Sequence, residues 1–100
     1  MSQVQIVAIY ENYERILSDY ARDLKRFLSE MESLVTESEG IIASLNSSWQ
    51  GESYDKFART SRKGFDEIRA SLSVVKNISG EIDQKVPQIE RIIRQLKGED

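Results

Sequence analysis

Residues 46–51 read Asn-Ser-Ser-Trp-Gln-Gly and are the only strong interruption in the hydrophobic pattern of this 100-residue chain. Asn, Ser and Gly cap helices and tolerate backbone conformations that most residues avoid. Gly51 permits a positive φ angle or a close backbone approach where the second helix begins, and Trp49 offers a large amphipathic surface. The stretch therefore predicts a turn at the middle of the chain, with one long element on each side of it.

Before the turn, apolar side chains recur every three or four residues, which is the spacing of a helix that buries one side. A first column holds positions 3, 10, 17, 24, 31, 38 and 45, and a second column holds positions 6, 13, 20, 27, 34 and 41. A third column beside them consists of Val7, Ala21, Leu28, Val35 and Ile42, with Glu14 as its exception. The pattern predicts a helix over about residues 4–45 with an unusually wide apolar stripe.

After the turn, the same spacing predicts a second helix over about residues 52–97. Its apolar series occupies positions 54, 58, 61, 65, 68, 72, 75, 79, 82, 86, 89, 93 and 96, and only Ser61 and Ser79 interrupt it. Gly80 and Pro87 weaken this helix, because proline lacks a backbone donor and clashes with the carbonyl group four residues earlier. We expect a kink or a break near residues 80–87.

Folding the chain back at the turn pairs positions whose numbers add up to about 99. Apolar residues then meet apolar residues at most positions, Ser38 falls opposite Ser61 and bulky Tyr20 faces small Ser79. This predicts an all-α fold with one domain, an antiparallel two-helix hairpin over residues 1–100. The predicted hairpin core is Tyr10, Leu17, Leu24, Phe27, Met31, Leu34, Phe65, Ile68, Leu72, Val75, Ile82 and Ile89.

One hairpin cannot bury the whole stripe, since two helices alone share a single contact face. We expect the uncovered part to include Val7, Leu28, Val35 and Ile42 and to bind a partner. Two hairpins that associate through this surface would form an elongated four-helix bundle.

The chain length, the helical hairpin and the central Trp49-Gln50-Gly51 together resemble the WXG family, the ESAT-like proteins of type VII secretion. The resemblance covers essentially the whole chain. It implies a small dimeric helical protein that a membrane ATPase-driven apparatus exports without a cleavable signal peptide, as a substrate or as a partner of an effector. It also assigns Trp49 and Gly51 to a recognition surface for the secretion machinery, although a Trp that only plugs the end of the bundle explains the same residue.

The chain departs from the family pattern at its end. Many members carry a Tyr-x-x-x-Asp/Glu export signal after the second helix, whereas residues 88–100 contain no Tyr. The spacing occurs only from Tyr10 to Glu14, inside the first helix, where core packing explains Tyr10 better. We expect a heterodimer whose other chain supplies the signal, either another helical hairpin or the helical N-terminal domain of a larger effector. A homodimer is the alternative.

Composition excludes several other functions. The chain has no Cys and no His, so thiol nucleophiles, Ser-His dyads and structural zinc sites are impossible. We expect no enzyme activity, no cofactor and no metal. The net charge of −3 argues against nucleic-acid binding. The N-terminal residues lack the positive segment of a signal peptide, and no apolar run is long enough to predict membrane insertion.

A basic patch near the turn consists of Lys56, Arg59, Arg62 and Lys63. It could contact phosphate or an acidic partner, but a solvated face that partly balances Glu37 and Glu39 explains it better.

Two other functions stay open. A cytoplasmic chaperone could cover the apolar helices of a secreted effector without being exported itself. A generic coiled-coil structural subunit could use Trp49-Gln50-Gly51 only as a turn.

Overall fold

The computed structural model describes residues 2–99 and consists of two α-helices joined by a short turn. The first helix, α1, spans Gln3–Leu45 and has 43 residues, and the second, α2, spans Glu52–Lys97 and has 46 residues. Residues 2–99 contain no β-strand. The predicted fold class, an all-α helical hairpin, is confirmed.

Local hydrogen bonds explain where the outer helix ends lie. At the start of α1, Ser2 Oγ accepts a hydrogen bond from the backbone N–H of Gln5 at 3.2 Å, and the backbone N–H of Ser2 donates to Gln5 Oε1 at 2.9 Å. This reciprocal pair is a capping box. At the end of α2, Gly98 has a φ of 72°, and the N–H of Glu99 donates to the carbonyl of Arg94 at 2.9 Å. Glycine is favoured there because a left-handed residue closes the last helical turn.

Helix α2 runs through Pro87 without a break. Of the two outcomes expected near residues 80–87, the break therefore does not occur. The reason is packing on both sides of the proline: Val86 is half-buried, while Ile89 and Ile93 are buried. A proline inside a helix costs about 3 kcal/mol, whereas burial of each large aliphatic side chain contributes about 1.5–3 kcal/mol.

The hairpin comprises two compact units. The terminal unit contains residues 2–26 and 76–99, and its buried cluster consists of Val7, Ile89 and Ile93. The turn unit contains residues 27–75. Its buried apolar residues are Leu28, Val35, Tyr54 and Leu72.

Candidate interaction surface

The turn closes α1 tightly before the chain reverses. The N–H of Ser48 donates to the carbonyl of Leu45 at 3.1 Å, and the N–H of Trp49 donates to the same carbonyl at 2.8 Å. The Ser47 hydroxyl donates to the carbonyl of Ser44 at 2.9 Å. These bonds satisfy carbonyl groups that the end of a helix would otherwise leave unpaired. The serines predicted to make a turn thus terminate the helix through their own hydroxyls.

Gly51 has a φ of 109°, so of its two predicted roles the positive φ angle is the one observed. A side chain would be strained in this backbone conformation. The carbonyl of Gly51 then accepts the N–H of Asp55 at 3.1 Å, so α2 starts directly after it. Glu52 and Asp55 lie in the first turn of α2, where negative charge is favourable.

Trp49 packs on two aromatic rings of α2. Its ring centroid lies 5.6 Å from that of Tyr54 in an edge-to-face arrangement and 5.3 Å from that of Phe57. The Tyr54 hydroxyl donates to the carbonyl of Ile42 at 2.8 Å, and Tyr54 itself is buried. Trp49 nevertheless keeps 37% of its surface exposed and Phe57 keeps 39%. The Trp is therefore held in one orientation by the hairpin while much of its ring faces solvent.

Helix α1 contacts α2 through the first and third columns, which together form the hairpin seam. Val7, Leu28 and Val35 are buried and Ile42 is half-buried, so these four third-column residues lie inside the hairpin. Their assignment to a partner-binding surface is corrected by this burial, since the hairpin already covers Val7, Leu28 and Val35 and part of Ile42.

The predicted core residues divide into three groups. Leu72 and Ile89 are buried. Seven others are half-buried: Tyr10, Leu17, Leu24, Met31, Phe65, Val75 and Ile82. Phe27, Leu34 and Ile68 are exposed, with Leu34 keeping 54% of its surface in solvent, so their assignment to the core was wrong.

The physical reason for both corrections is the width of the apolar stripe. The second and third columns lie on opposite sides of the first column, and both have helical spacing. Spacing alone therefore does not show which of the two packs against α2. The third column carries the smaller side chains, such as Val7 and Ala21, and close helix packing at an interaxial distance of about 8–10 Å favours them. The second column carries Tyr13, Tyr20 and Phe27, which remain outside.

Ion pairs line one side of the seam, which we call the charged edge. In the terminal unit Lys25 pairs with Asp83 at 3.0 Å and Glu11 with Lys97 at 3.4 Å. In the turn unit Arg69 donates to both carboxylate oxygens of Glu39, one of them at 2.9 Å. The hydrogen bond from Arg69 lowers the pKa of the Glu39 carboxyl and raises the pKa of the guanidinium.

The basic patch was expected to balance the charge of Glu39, but the structure pairs Glu39 with a residue outside the patch. The ion-pair partner of Glu39 is Arg69, six residues beyond Lys63, and no ion pair within residues 2–99 involves Arg59 or Lys63. Arg62 and Glu39 instead both line an open cleft of about 150 Å³ near the turn. Ile42, Ala43, Tyr54, Ala58 and Phe65 line the rest of that cleft.

Exposed apolar residues line the other side of the seam, which we call the apolar edge. On α1, the charged-edge residues stand four positions after a third-column residue and lie on one side of that column. Residues one position before a third-column residue lie on the other side, away from the charged edge. In the terminal unit the exposed members on α1 are Tyr13 and Tyr20, and Ile78 and Ile92 occupy the corresponding positions on α2.

The turn unit has an apolar edge of the same kind. Phe27, Leu34 and Ile41 are exposed on α1, and Phe57 is exposed on α2. Phe57, Ile78 and Ile92 were missed at the level of sequence. The signal that could have identified them is their place one residue before positions 58, 79 and 93 of the second apolar series.

Glu14 interrupts the third column with a charge beside the seam. Partial burial raises the pKa of its carboxyl, and repulsion and a hydrogen bond involving Glu90 raise it further, while Lys97 acts in the opposite direction. A charged Glu14 is thus unfavourable in this packing. No group of three or more Asp, Glu, His or Cys side chains in residues 2–99 is arranged to hold a metal ion.

Neither helix in the described part of the chain has a stretch long and apolar enough to cross a membrane. Comparison with family models, with curated proteins and with solved structures gave no match for this chain.

Proposed function

We propose that this chain acts by helix–helix association in a type VII secretion pathway, as an exported substrate or as the co-exported partner of an effector. The apolar edge carries the proposal. Side chains as large as Phe27, Leu34 and Tyr20 stand exposed on one side of a seam whose other side is satisfied by ion pairs. Contiguous exposed apolar surface on a small protein is typical of a binding surface.

The partner that fits this edge is itself a helical hairpin. The apolar edge has contributions from both helices of each unit, and a second pair of helices covers such a face in a four-helix bundle. In this proposal the second column forms the partner-binding surface, in place of Val7, Leu28, Val35 and Ile42. A homodimer and a heterodimer with a signal-bearing chain both use the same edge.

The link to secretion comes from the resemblance to the WXG family together with the exposure of Trp49. A Trp that only plugged the end of the hairpin would gain by full burial, whereas this ring keeps more than a third of its surface in solvent. The secretion ATPase is the partner that the resemblance implies for Trp49 and Gly51.

The association is tested by measuring solution mass by light scattering, for the chain alone and mixed with helical proteins encoded beside it. We expect Leu34→Lys to weaken the complex by about tenfold or more, because it places a charge in an apolar contact. Thr36→Lys is the matched control, since Thr36 is exposed on the same helix but lies outside the apolar edge. Equal weakening by both variants, or none by Leu34→Lys, would contradict an interface at this edge.

Export is tested in the native host with Trp49→Ala, with Gln50→Ala as the neighbouring exposed control. We expect export to be lost while helicity and complex formation persist. Unchanged export would favour the generic structural subunit. If the wild-type chain stays in the cytoplasm while its partner is exported, the chaperone alternative replaces the present proposal.

A further inference from the structure

On α1, the exposed apolar residues of the turn unit alternate with glutamates. Glu30 follows Phe27 by three residues and precedes Leu34 by four, and Glu37 has the same relation to Leu34 and Ile41. Residues three or four apart are neighbours on the surface of a helix. Both glutamates are exposed, so their carboxylates border the apolar side chains directly.

Helix α2 presents a third carboxylate beside the apolar edge of this unit. Phe57 is exposed there, and Gly64 and Ser71 continue its column at intervals of seven residues. Glu67 is exposed and lies three residues after Gly64 and four before Ser71, so it borders this column as the two glutamates of α1 border theirs. A Cβ atom at Gly64 would meet nothing within 4 Å, which leaves the surface beside Glu67 open. We call Glu30, Glu37 and Glu67 the acidic rim.

The hairpin does not neutralise the acidic rim. No ion pair within residues 2–99 involves any of its three members. Lys63 lies four residues before Glu67 on α2, yet no ion pair joins them. The other residues in the same columns of this unit are uncharged: Ser44 on α1, and Thr60 and Val74 on α2. The border of the turn unit's apolar edge therefore carries charge of one sign.

A second copy of this chain would not supply the missing positive charge. Its turn unit brings the same three glutamates, and like charges that meet across an interface weaken binding. In its terminal unit, the corresponding positions of α1 hold Ile9, Ile16 and Asp23. On α2 the apolar edge of that unit offers Lys85, with Glu81 four residues before it. Neither unit has the surplus of positive charge that would complement the acidic rim.

We propose that the apolar edge of the turn unit binds a helical protein different from this chain, whose contacting helices carry Lys or Arg beside their own apolar stripe. This inference rests on the proposed function, because it names the chemistry of the partner that covers the apolar edge. Charges beside an apolar helix contact determine which partner binds, since a wrong combination places like charges together. The apolar side chains provide the contact area, and the acidic rim discriminates between partners.

A charge-reversed copy of the chain serves as a defined probe. The edge probe, Glu37→Lys with Glu67→Lys, keeps the apolar edge but replaces one acidic residue on each helix by a basic one. The control probe, Glu32→Lys with Asp66→Lys, changes one exposed acidic residue on each helix of the same unit. These two residues lie toward the charged edge, where Asp66 interacts electrostatically with Arg69. Both probes have the same net charge, so general attraction to the wild-type chain is matched.

Sedimentation velocity of labelled wild-type chain mixed with each unlabelled probe measures the dissociation constants, and circular dichroism checks that both probes remain helical. We expect the edge probe to bind the wild-type chain about tenfold or more tightly than the control probe does, and more tightly than the wild-type chain binds itself. Raising the salt concentration from about 0.1 M to about 1 M shortens the Debye length from about 10 Å to about 3 Å. The advantage of the edge probe should therefore shrink at high salt.

Equal binding by the two probes, or wild-type self-association as tight as binding of the edge probe, would overturn the inference. Leu34→Lys in the labelled chain keeps this failure distinct from failure of the proposed function. If Leu34→Lys weakens binding while the two probes bind equally, the apolar edge is an interface but its partner needs no basic residues. If Leu34→Lys leaves binding of the edge probe unchanged, the apolar edge is not the interface.

Discussion

The two edges of the hairpin seam border the same helix contact but are chemically opposite. On the charged edge, Lys25 finds Asp83 and Glu39 finds Arg69 across the seam. On the apolar edge, Tyr20 and Leu34 keep more than half of their surface in solvent. A hairpin that functioned alone would gain from polar groups on both edges. One edge is completed by ion pairs within the chain, and we propose that a partner covers the other.

The comparison also separates two ways in which an exposed side chain matters. Surface ion pairs across the seam contribute about 0–1 kcal/mol within the isolated chain. Exposed apolar side chains contribute little to the isolated hairpin, yet each contributes to binding once another surface covers it. The following predictions test this division, beginning with the largest expected effect.

The largest expected effect is a difference in the free energy of unfolding between a variant of Leu28 and a variant of Leu34. These two leucines lie on different sides of α1. Leu28→Ala should lower the free energy of unfolding by about 2–5 kcal/mol, because it leaves a cavity in the seam. Leu34→Ala should lower it by less than about 1 kcal/mol in the isolated chain. Urea denaturation at low protein concentration measures both. Similar losses for the two variants would mean that the apolar edge is already covered.

An intermediate effect is expected from two carboxylates with pKa shifts of opposite direction. The lowered pKa of Glu39 means that its stabilising contribution is present at neutral pH and is lost as the pH falls through the folded-state value. The raised pKa of Glu14 means the reverse, since its protonated form is favoured in the folded state and stability falls as the pH rises through that value.

Glu39→Gln should therefore lower the thermal midpoint at pH 7 and Glu14→Gln should raise it. As the pH falls from 7, the Glu14→Gln difference should vanish first, at the raised folded-state pKa of Glu14, whereas the Glu39→Gln difference should persist to lower pH because the folded-state pKa of Glu39 is lowered. Circular dichroism melting curves across this pH range measure the midpoints. A Glu14→Gln variant that is less stable than wild type at pH 7 would show that Glu14 makes a favourable contact in its charged form.

The smallest effect is expected for one exposed ion pair. Lys25→Met should reduce the free energy of unfolding by less than about 1 kcal/mol, and added salt should reduce the difference further. Arg26→Met is the control, because Arg26 is exposed and adjacent. A loss well above that of the control and insensitive to salt would mean that the Lys25–Asp83 pair is more than a surface contact.

Much of the fold follows from spacing in the sequence. The helix bounds and the positive φ of Gly51 follow from hydrophobic periodicity and turn chemistry, because both depend on residues close together in the chain. The identity of the seam does not follow, since Val35 and Leu34 are both apolar and lie on opposite sides of the first column. Their environments, buried and exposed, depend on which side α2 occupies.

The charges could have resolved that ambiguity. Only a seam that includes the third column places Lys25 and Asp83 at flanking positions across from one another. Periodicity of apolar residues contains no information about this pairing, whereas the signs and positions of the charges do. The packing of Trp49 on Tyr54 and Phe57 could not be predicted in the same way, because it depends on how the turn directs one side chain back onto α2.

The packing of Trp49 also has a spectroscopic consequence. It is the only tryptophan in the chain, so indole fluorescence reports on the turn and on no other part of the molecule. An emission maximum between those of free and fully enclosed indole corresponds to a ring that is 37% exposed. Any protein that covers the turn would shift this emission to shorter wavelength, whereas a partner confined to the terminal unit would leave it unchanged. The chain thus contains its own probe for which end of the hairpin a partner occupies.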